Sequence, residues 1–253
     1  MNTNPTDQNS QIYYRRNLPH FQPYHAVYFV TFRLKDSLPV PVIKRLKQEK
    51  EEEENTINKI ANESKRMEKR RDFKKLHFKK YDSLLDKIST GPRWLRKPEI
   101  ANIVSQAMHY RDGKVYNLVT FCIMPNHVHM VFDVKGFTES SLVESVTRPL
   151  LRSPGSKEEF EEMSKKRVSD SPYIVTNILH SLKIFTARKA NRLLNRTGIF
   201  WQHESFDHVV RKGKELERII WYVLNNPVIG GLVGSWQDWP YSYSKFNLDI
   251  MQK

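Results

Sequence analysis

Apolar residues in this chain alternate between strand-like runs and helical stripes, and the alternation lays out most of a domain. Residues 25–34, "HAVYFVTFRL", are rich in aromatic and β-branched side chains and predict a strand, which Pro39 and Pro41 bring to an end. "VYNLVTFCIM" (115–124) and "HVHMVFDV" (127–134) are of the same kind. Pro125 and Asn126 lie between them, a turn-forming pair, so an antiparallel hairpin is expected. "FDHVVR" (206–211) predicts a further short strand. Helical spacing takes over elsewhere. In "KPEIANIVSQAMHYRDG", Ile100, Ile103, Val104 and Ala107 share a face, with Pro98 near the start and Asp112-Gly113 at the end. From about Tyr173 to Leu194, Ile178, Leu182 and Phe185 supply the face; "GKELERIIWYVLNN" (213–226) predicts a last helix halted by Pro227.

Two stretches stand apart from this pattern. From Ile43 to about Ile88 the chain is dense in charge, with few breakers and few apolar residues before Phe73, so one long helix or two antiparallel helices are expected. Between Lys44 and Lys80 it carries 14 Lys and Arg and 8 Asp and Glu, with nine of the basic residues at or after Lys65. Residues 43–90 therefore read as a charged helical insertion, a solvated arm whose loss the core would survive, with a basic arm that contacts phosphates as the alternative. Residues 152–172, "RSPGSKEEFEEMSKKRVSDSP", are polar and predict a flexible loop. The resulting order is strand, helical insertion, helix, strand, strand, helix, strand, helix. It fits a single α+β domain over 1–253, with helices against an antiparallel sheet, and gives no sign of repeats or of a doubly wound parallel sheet.

Charge narrows the partners. Forty-two Lys and Arg against 28 Asp and Glu give a net charge of +14, a field that attracts polyanions, and nucleic acid is the foremost of these. Cys122 is the single cysteine, which excludes an intramolecular disulfide and a cysteine-based zinc site. No apolar run approaches the roughly 20 residues of a bilayer-spanning helix, and "MNTNPTDQNSQ" lacks the layout of a signal peptide. The expectation is a cytoplasmic protein without a membrane partner.

The chemistry concentrates in "IMPNHVHMVF" (123–132). Side chains at i and i+2 of a strand leave from the same face, so His127 and His129 can converge on one ion while Val128 points into the core; an ordinary pair of buried histidines is the alternative. Two imidazoles do not complete a metal site, and the C-terminal helix offers more donors. Tyr222 and Asn226, at i and i+4 in "WYVLNNPV", stack on one helical face and bring a phenol and an amide towards one point, unless Asn226 is only a cap before Pro227.

In this combination the sequence resembles a known family. "MPNHVHMVF", followed by "FWQHESFDHVVRKGKELERIIWYVLNNPVIGGLV", is similar to the single-tyrosine HUH transposases of small insertion sequences, above all the REP-associated tyrosine transposases. The likeness covers the first strand and most of residues 95–240. It implies a ferredoxin-like (RRM-like) antiparallel sheet with helices on one face, to which the charged insertion is added. It further implies His127, His129 and Asn226 as metal ligands, Tyr222 as nucleophile and a divalent ion, Mg²⁺ or Mn²⁺. The expected substrate is single-stranded or hairpin DNA, cut through a 5′-phosphotyrosine intermediate, in the bacterial cytoplasm; a homodimer is compatible with it. Arg15, Arg16, Lys183, Arg188, Lys189 and Arg211 are candidate phosphate contacts. A catalytically silent nucleic-acid-binding regulator on the same fold is the alternative.

Overall fold

The computed structural model describes residues 13–15, 19–21, 26–87, 90–135, 174–211 and 213–246, the first two segments by their backbone alone. The loop expected at 152–172 and Arg16 lie outside the described residues. Strands β1 (Tyr13–Arg15) and β2 (Pro19–Phe21) form a small antiparallel pair. The main sheet has five strands in the order β6-β3-β5-β4-β7, every neighbouring pair antiparallel: β3 (Val27–Arg33), β4 (Asn117–Ile123), β5 (His127–Asp133), β6 (Phe206–Val210) and β7 (Ser242–Ser244). The hairpin expected across Pro125-Asn126 is the β4–β5 pair, in which Ile123 faces Val128. Strand β3 lies beside β5 with Arg33 opposite His127 and Thr31 opposite His129.

The two-residue period of these strands divides the core into two layers. Tyr28, Val30 and Phe32 of β3 and Val128, Met130 and Phe132 of β5 face one way. There they meet Ile100, Val104 and Met108 of α3 (Pro98–Arg111) and Ile178 and Leu182 of α4 (Ile174–Leu193). Buried Arg111 ties these helices together, its guanidinium donating to the carbonyl of Ala107 and the hydroxyl of Ser181. Val27 and Phe29 of β3 and Val131 of β5 face the other way, against Ile220, Val223 and Leu224 of α5 (Lys214–Ile229). The α+β antiparallel fold expected from the sequence is therefore present, with α3 and α4 sharing one face and the histidines pointing to the face that α5 covers.

Two boundaries differ from expectation. Helix α5 does not halt at Pro227 but runs on to Ile229. A proline there deletes only one intrahelical hydrogen bond, and the last turn is closed by the Gly230 amide donating to the Asn226 carbonyl at 2.8 Å. Strand β7 is not foreshadowed by its sequence, Ser-Tyr-Ser, which has no apolar alternation. Its neighbour holds it: the Thr120 hydroxyl donates to the Tyr243 carbonyl at 2.6 Å, and the Trp239 indole to the Ile123 carbonyl at 3.0 Å.

The charged insertion is two antiparallel helices, α1 (Val40–Asn58) and α2 (Glu63–Lys87). Lys80 pairs with Glu49 and Arg70 with Glu54, so part of the basic charge of α2 is answered by α1. The end of α2 is not a solvated arm, and this corrects the expectation that the segment has little to contribute to the core. Phe78 stacks on Phe206 with ring centroids 4.1 Å apart. The Tyr81 hydroxyl accepts a 2.7 Å bond from Nε of buried Arg33, and the Leu85 carbonyl accepts one of 2.9 Å from buried Asn126. Asp82, between Tyr81 and Leu85, is buried with them. Leu85 is 1% exposed and Leu76, on the same helix, 66%. Leu85→Ala should accordingly cost about 2–5 kcal/mol in a denaturant titration, and Leu76→Ala no more than about 0.5. Equal, small effects would mean that α2 does not dock.

Candidate functional site

His127 and His129 sit in the middle of the sheet, both fully buried, on the face covered by α5. Their Nε2 atoms are 3.0 Å apart. What lies behind each ring decides what those nitrogens can do. The Asn126 amide nitrogen donates to the Leu85 carbonyl, which fixes the orientation of that side chain; its oxygen, 2.7 Å from His127 Nδ1, can only accept. The Nδ1 of His127 must then carry the proton, leaving a bare lone pair on Nε2. His129 Nδ1 lies 2.8 Å from the Thr31 hydroxyl, which accepts or donates and so tolerates either tautomer. Burial, above all, depresses both histidines to about 3, and Asn226, which adjoins both rings, partly offsets the shift. Around neutral pH these are two uncharged imidazoles turned towards one point.

Three further side chains converge there. Asp82, from the docked end of α2, places Oδ1 3.3 Å from His129 Nε2 and 3.9 Å from His127 Nε2. Its other oxygen, Oδ2, accepts a short hydrogen bond from the Tyr222 hydroxyl and a 3.4 Å one from the Asn226 amide. Asn226, 1% exposed, keeps its amide oxygen without a hydrogen-bond partner among the described residues, and Asp82 Oδ1 is likewise without one there. The ring of Tyr222 is half-buried, its centroid 5.7 Å from that of His129 and 6.1 Å from that of Phe29. Burial and then the Asp82 carboxylate push the phenol well above its ordinary range, and burial raises Asp82 as well. Beside it, Asp86 is raised to about 7 by burial and by Asp82.

This arrangement fits a divalent cation. Asp82, His127 and His129 offer ligand atoms that all lie within 4.8 Å of one another. Two ligand atoms about 2.1 Å from an ion and at right angles would be about 3 Å apart, as the two Nε2 atoms are. The two orphaned oxygens, on Asp82 and Asn226, are acceptors without donors, the condition a cation relieves. Imidazole nitrogens with amide and carboxylate oxygens, and no thiolate, form a donor set for a divalent cation of intermediate or hard character.

The structure thus gathers four residues singled out in the sequence, His127, His129, Tyr222 and Asn226. Of the basic ones whose side chains are described, Lys183, Arg188, Lys189 and Arg211, it gathers none there. Lys183 on α4 is largely enclosed, donating to the carbonyls of Gln202 and His203 and to the Ser205 hydroxyl, and burial lowers it to about 7. Arg188 and Lys189 are exposed on α4, the helix on the far side of the sheet from the histidines, and Lys189 lies over the Phe185 ring. Arg211 is exposed after β6, its amide bonded to Glu215, and Arg15 belongs to β1. Sequence reasoning missed Asp82, Thr31 and Asn126. Asn126 reads from the sequence as a turn former, and Asp82 is hidden by the charge of its helix; the signal for it is the docking face Phe78, Tyr81 and Leu85, spaced as neighbours on a helix.

Fold and site together define an α+β domain in which a strand-borne histidine pair faces a helix-borne tyrosine. The chain is similar to a curated protein of Haemophilus influenzae named as a putative REP-associated tyrosine transposase, 25% identical over 135 residues, which are 53% of this chain and 61% of that protein. The matched region thus spans a little over three-fifths of the relative's length. A solved REP-associated tyrosine transposase, bound to a REP hairpin, aligns over 93% of this chain and 87% of its own with 12% identity and a TM-score of 0.42. No family model matches the chain. The resemblance read from the sequence and the curated relative name the same family.

Thr31 gives a direct handle on the centre. Thr31→Val keeps the shape and removes the hydroxyl behind His129, so calorimetric titration of Mn²⁺ should show binding about 10- to 100-fold weaker, with the fold unchanged by circular dichroism. Unaltered affinity would mean that the hydroxyl does not set the ring.

Proposed function

We propose that this protein is a metal-dependent single-stranded DNA endonuclease and strand transferase that uses Tyr222 as its nucleophile. The observation that carries the reading is the placement of the Tyr222 hydroxyl beside the buried group formed by His127, His129 and Asn226. A core tyrosine needs no such neighbours, and a structural histidine pair needs no phenol at its open side. The name of the curated relative, a tyrosine transposase, points to the same chemistry.

The residues divide the work. His127, His129 and Asn226 would hold the divalent ion, which supplies positive charge to a scissile phosphate and to the charge that develops as it reacts. Asn126 and Thr31 keep the two rings turned towards it. The Tyr222 oxygen attacks phosphorus and loses its proton; the bond from phosphorus to the 3′ oxygen breaks, leaving a 5′-phosphotyrosine and a free 3′-OH. Attack by another 3′-OH on that link reverses the step, joins the strands and returns the phenol, with no nucleotide hydrolysis. The site lies between α5, α2 and the sheet, and a tyrosine nucleophile has to reach phosphorus on an unstacked backbone. The expected substrate is accordingly single-stranded DNA, next to a hairpin by the family resemblance. The net charge of +14 supplies general phosphate affinity, with Arg188, Lys189 and Arg211 as exposed contributors.

Tyr222→Phe tests the assignment, because it retains the ring and removes only the atom that attacks. With a labelled single-stranded hairpin and Mn²⁺, the wild-type protein should form a denaturation-resistant adduct that peptide mapping places on Tyr222. The variant should bind the same DNA and form none. An adduct on Tyr241 or Tyr243, or cleavage by the variant, would refute the nucleophile; DNA binding with no adduct in the wild type would make the protein a nucleic-acid binder without this chemistry.

A further inference from the structure

Asp82 has no part in the chemistry proposed for Tyr222, yet it stands closer to every member of the site than any other charged group described there. It is carried by the insertion, not by the sheet or by α5, and reaches the centre only because the end of α2 docks through Phe78, Tyr81 and Leu85. Its two oxygens face different partners. Oδ1 is turned to the imidazole nitrogens, 3.3 Å from His129 Nε2, and has no hydrogen bond of its own. Oδ2 takes the hydroxyl of Tyr222 and the amide of Asn226. A carboxylate 3% exposed with one oxygen unsatisfied is costly to keep, and a cation at that oxygen would answer it.

We propose that Asp82 bridges the metal and the nucleophile, its Oδ1 serving as the anionic ligand of the ion while its Oδ2 positions the Tyr222 hydroxyl against the same centre. The charged insertion is then part of the active site: it contributes the single negative charge in an otherwise neutral donor set of two imidazoles and an amide. Charge count sets how tightly hard divalent ions are held, so this carboxylate raises affinity for Mn²⁺ or Mg²⁺ beyond what the neutral donors provide. By binding the phenol with its other oxygen, it also keeps the tyrosine beside the ion instead of in solvent.

This inference rests on the metal site proposed for the histidines, and the test separates the two. Asp82→Asn retains the shape and an oxygen that can accept from Tyr222 but loses the charge; Asp82→Ala loses both. In calorimetric titrations of the full-length protein with Mn²⁺, without DNA, both variants should bind at least about 10-fold more weakly than the wild type, and their thermal midpoints should rise less on adding Mn²⁺. At saturating Mn²⁺, Asp82→Asn should regain more of its Tyr222 adduct formation than Asp82→Ala, since only the former keeps an acceptor for the phenol. Wild-type Mn²⁺ affinity in both variants, with His129→Ala impaired, would overturn the role of Asp82 and leave the histidine site standing. Equal adduct formation by the two variants at saturating metal would overturn the link to Tyr222. Failure of the wild type to bind Mn²⁺ would overturn the metal site as a whole.

Discussion

Two imidazole nitrogens lie 3.0 Å apart in the centre of the protein, at least one of them bare, so two lone pairs cannot simply face each other. Either a proton bridges them or a cation does, and the surrounding structure favours the cation: a carboxylate oxygen and an amide oxygen without donors face the same point. Every element that closes the site can be traced to this constraint. Strand β5 presents the rings on one face because their spacing is two, the β3 neighbour supplies Thr31 behind one of them, and the 125–126 turn supplies Asn126 behind the other. Helix α5 brings Tyr222 and Asn226 because their spacing is four.

The same constraint explains why the charged hairpin is docked at one end. Away from that end, α1 and α2 are joined by buried Leu46 and Ile57 and by ion pairs between the helices, the latter worth little at a water-exposed surface. Between Phe78 and Leu85 the character changes to stacked rings, a buried arginine on a tyrosine hydroxyl, and a backbone carbonyl that fixes Asn126. Because that carbonyl orients the side chain behind His127, the insertion reaches the histidine pair twice: through Asp82 directly and through Leu85 and Asn126 indirectly. Fold and site are coupled here, so an insertion that looks peripheral by composition governs the geometry of the centre.

The sheet strands and α3 were legible because burial on one or both faces imposes a period that composition cannot hide, as in Val27 to Arg33 or Ile100 to Ala107. The spacing of two between His127 and His129 and of four between Tyr222 and Asn226 put each pair on one face of its element, but that the two pairs belong to one site was implied by the family resemblance and not by spacing. Strand β7 was not, because Ser242 to Ser244 is held by Thr120 and Trp239 and not by its own pattern. The end of α5 was missed because a proline in the last turn of a helix removes one bond without breaking the helix. Asp82 was missed for a more general reason: a single acid in a segment crowded with exposed acids and bases carries no local mark of burial, and only the apolar neighbours that dock reveal it.

The central claim, that these side chains enclose one divalent ion, is tested most directly by crystals of the full-length protein grown with Mn²⁺, using the anomalous signal of manganese. The account predicts a single strong peak in contact with Nε2 of His127 and of His129 and with the free oxygens of Asp82 and Asn226. A map with no peak at this site while the two Nε2 atoms remain hydrogen-bonded to each other, or with manganese bound only elsewhere on the protein, would contradict it.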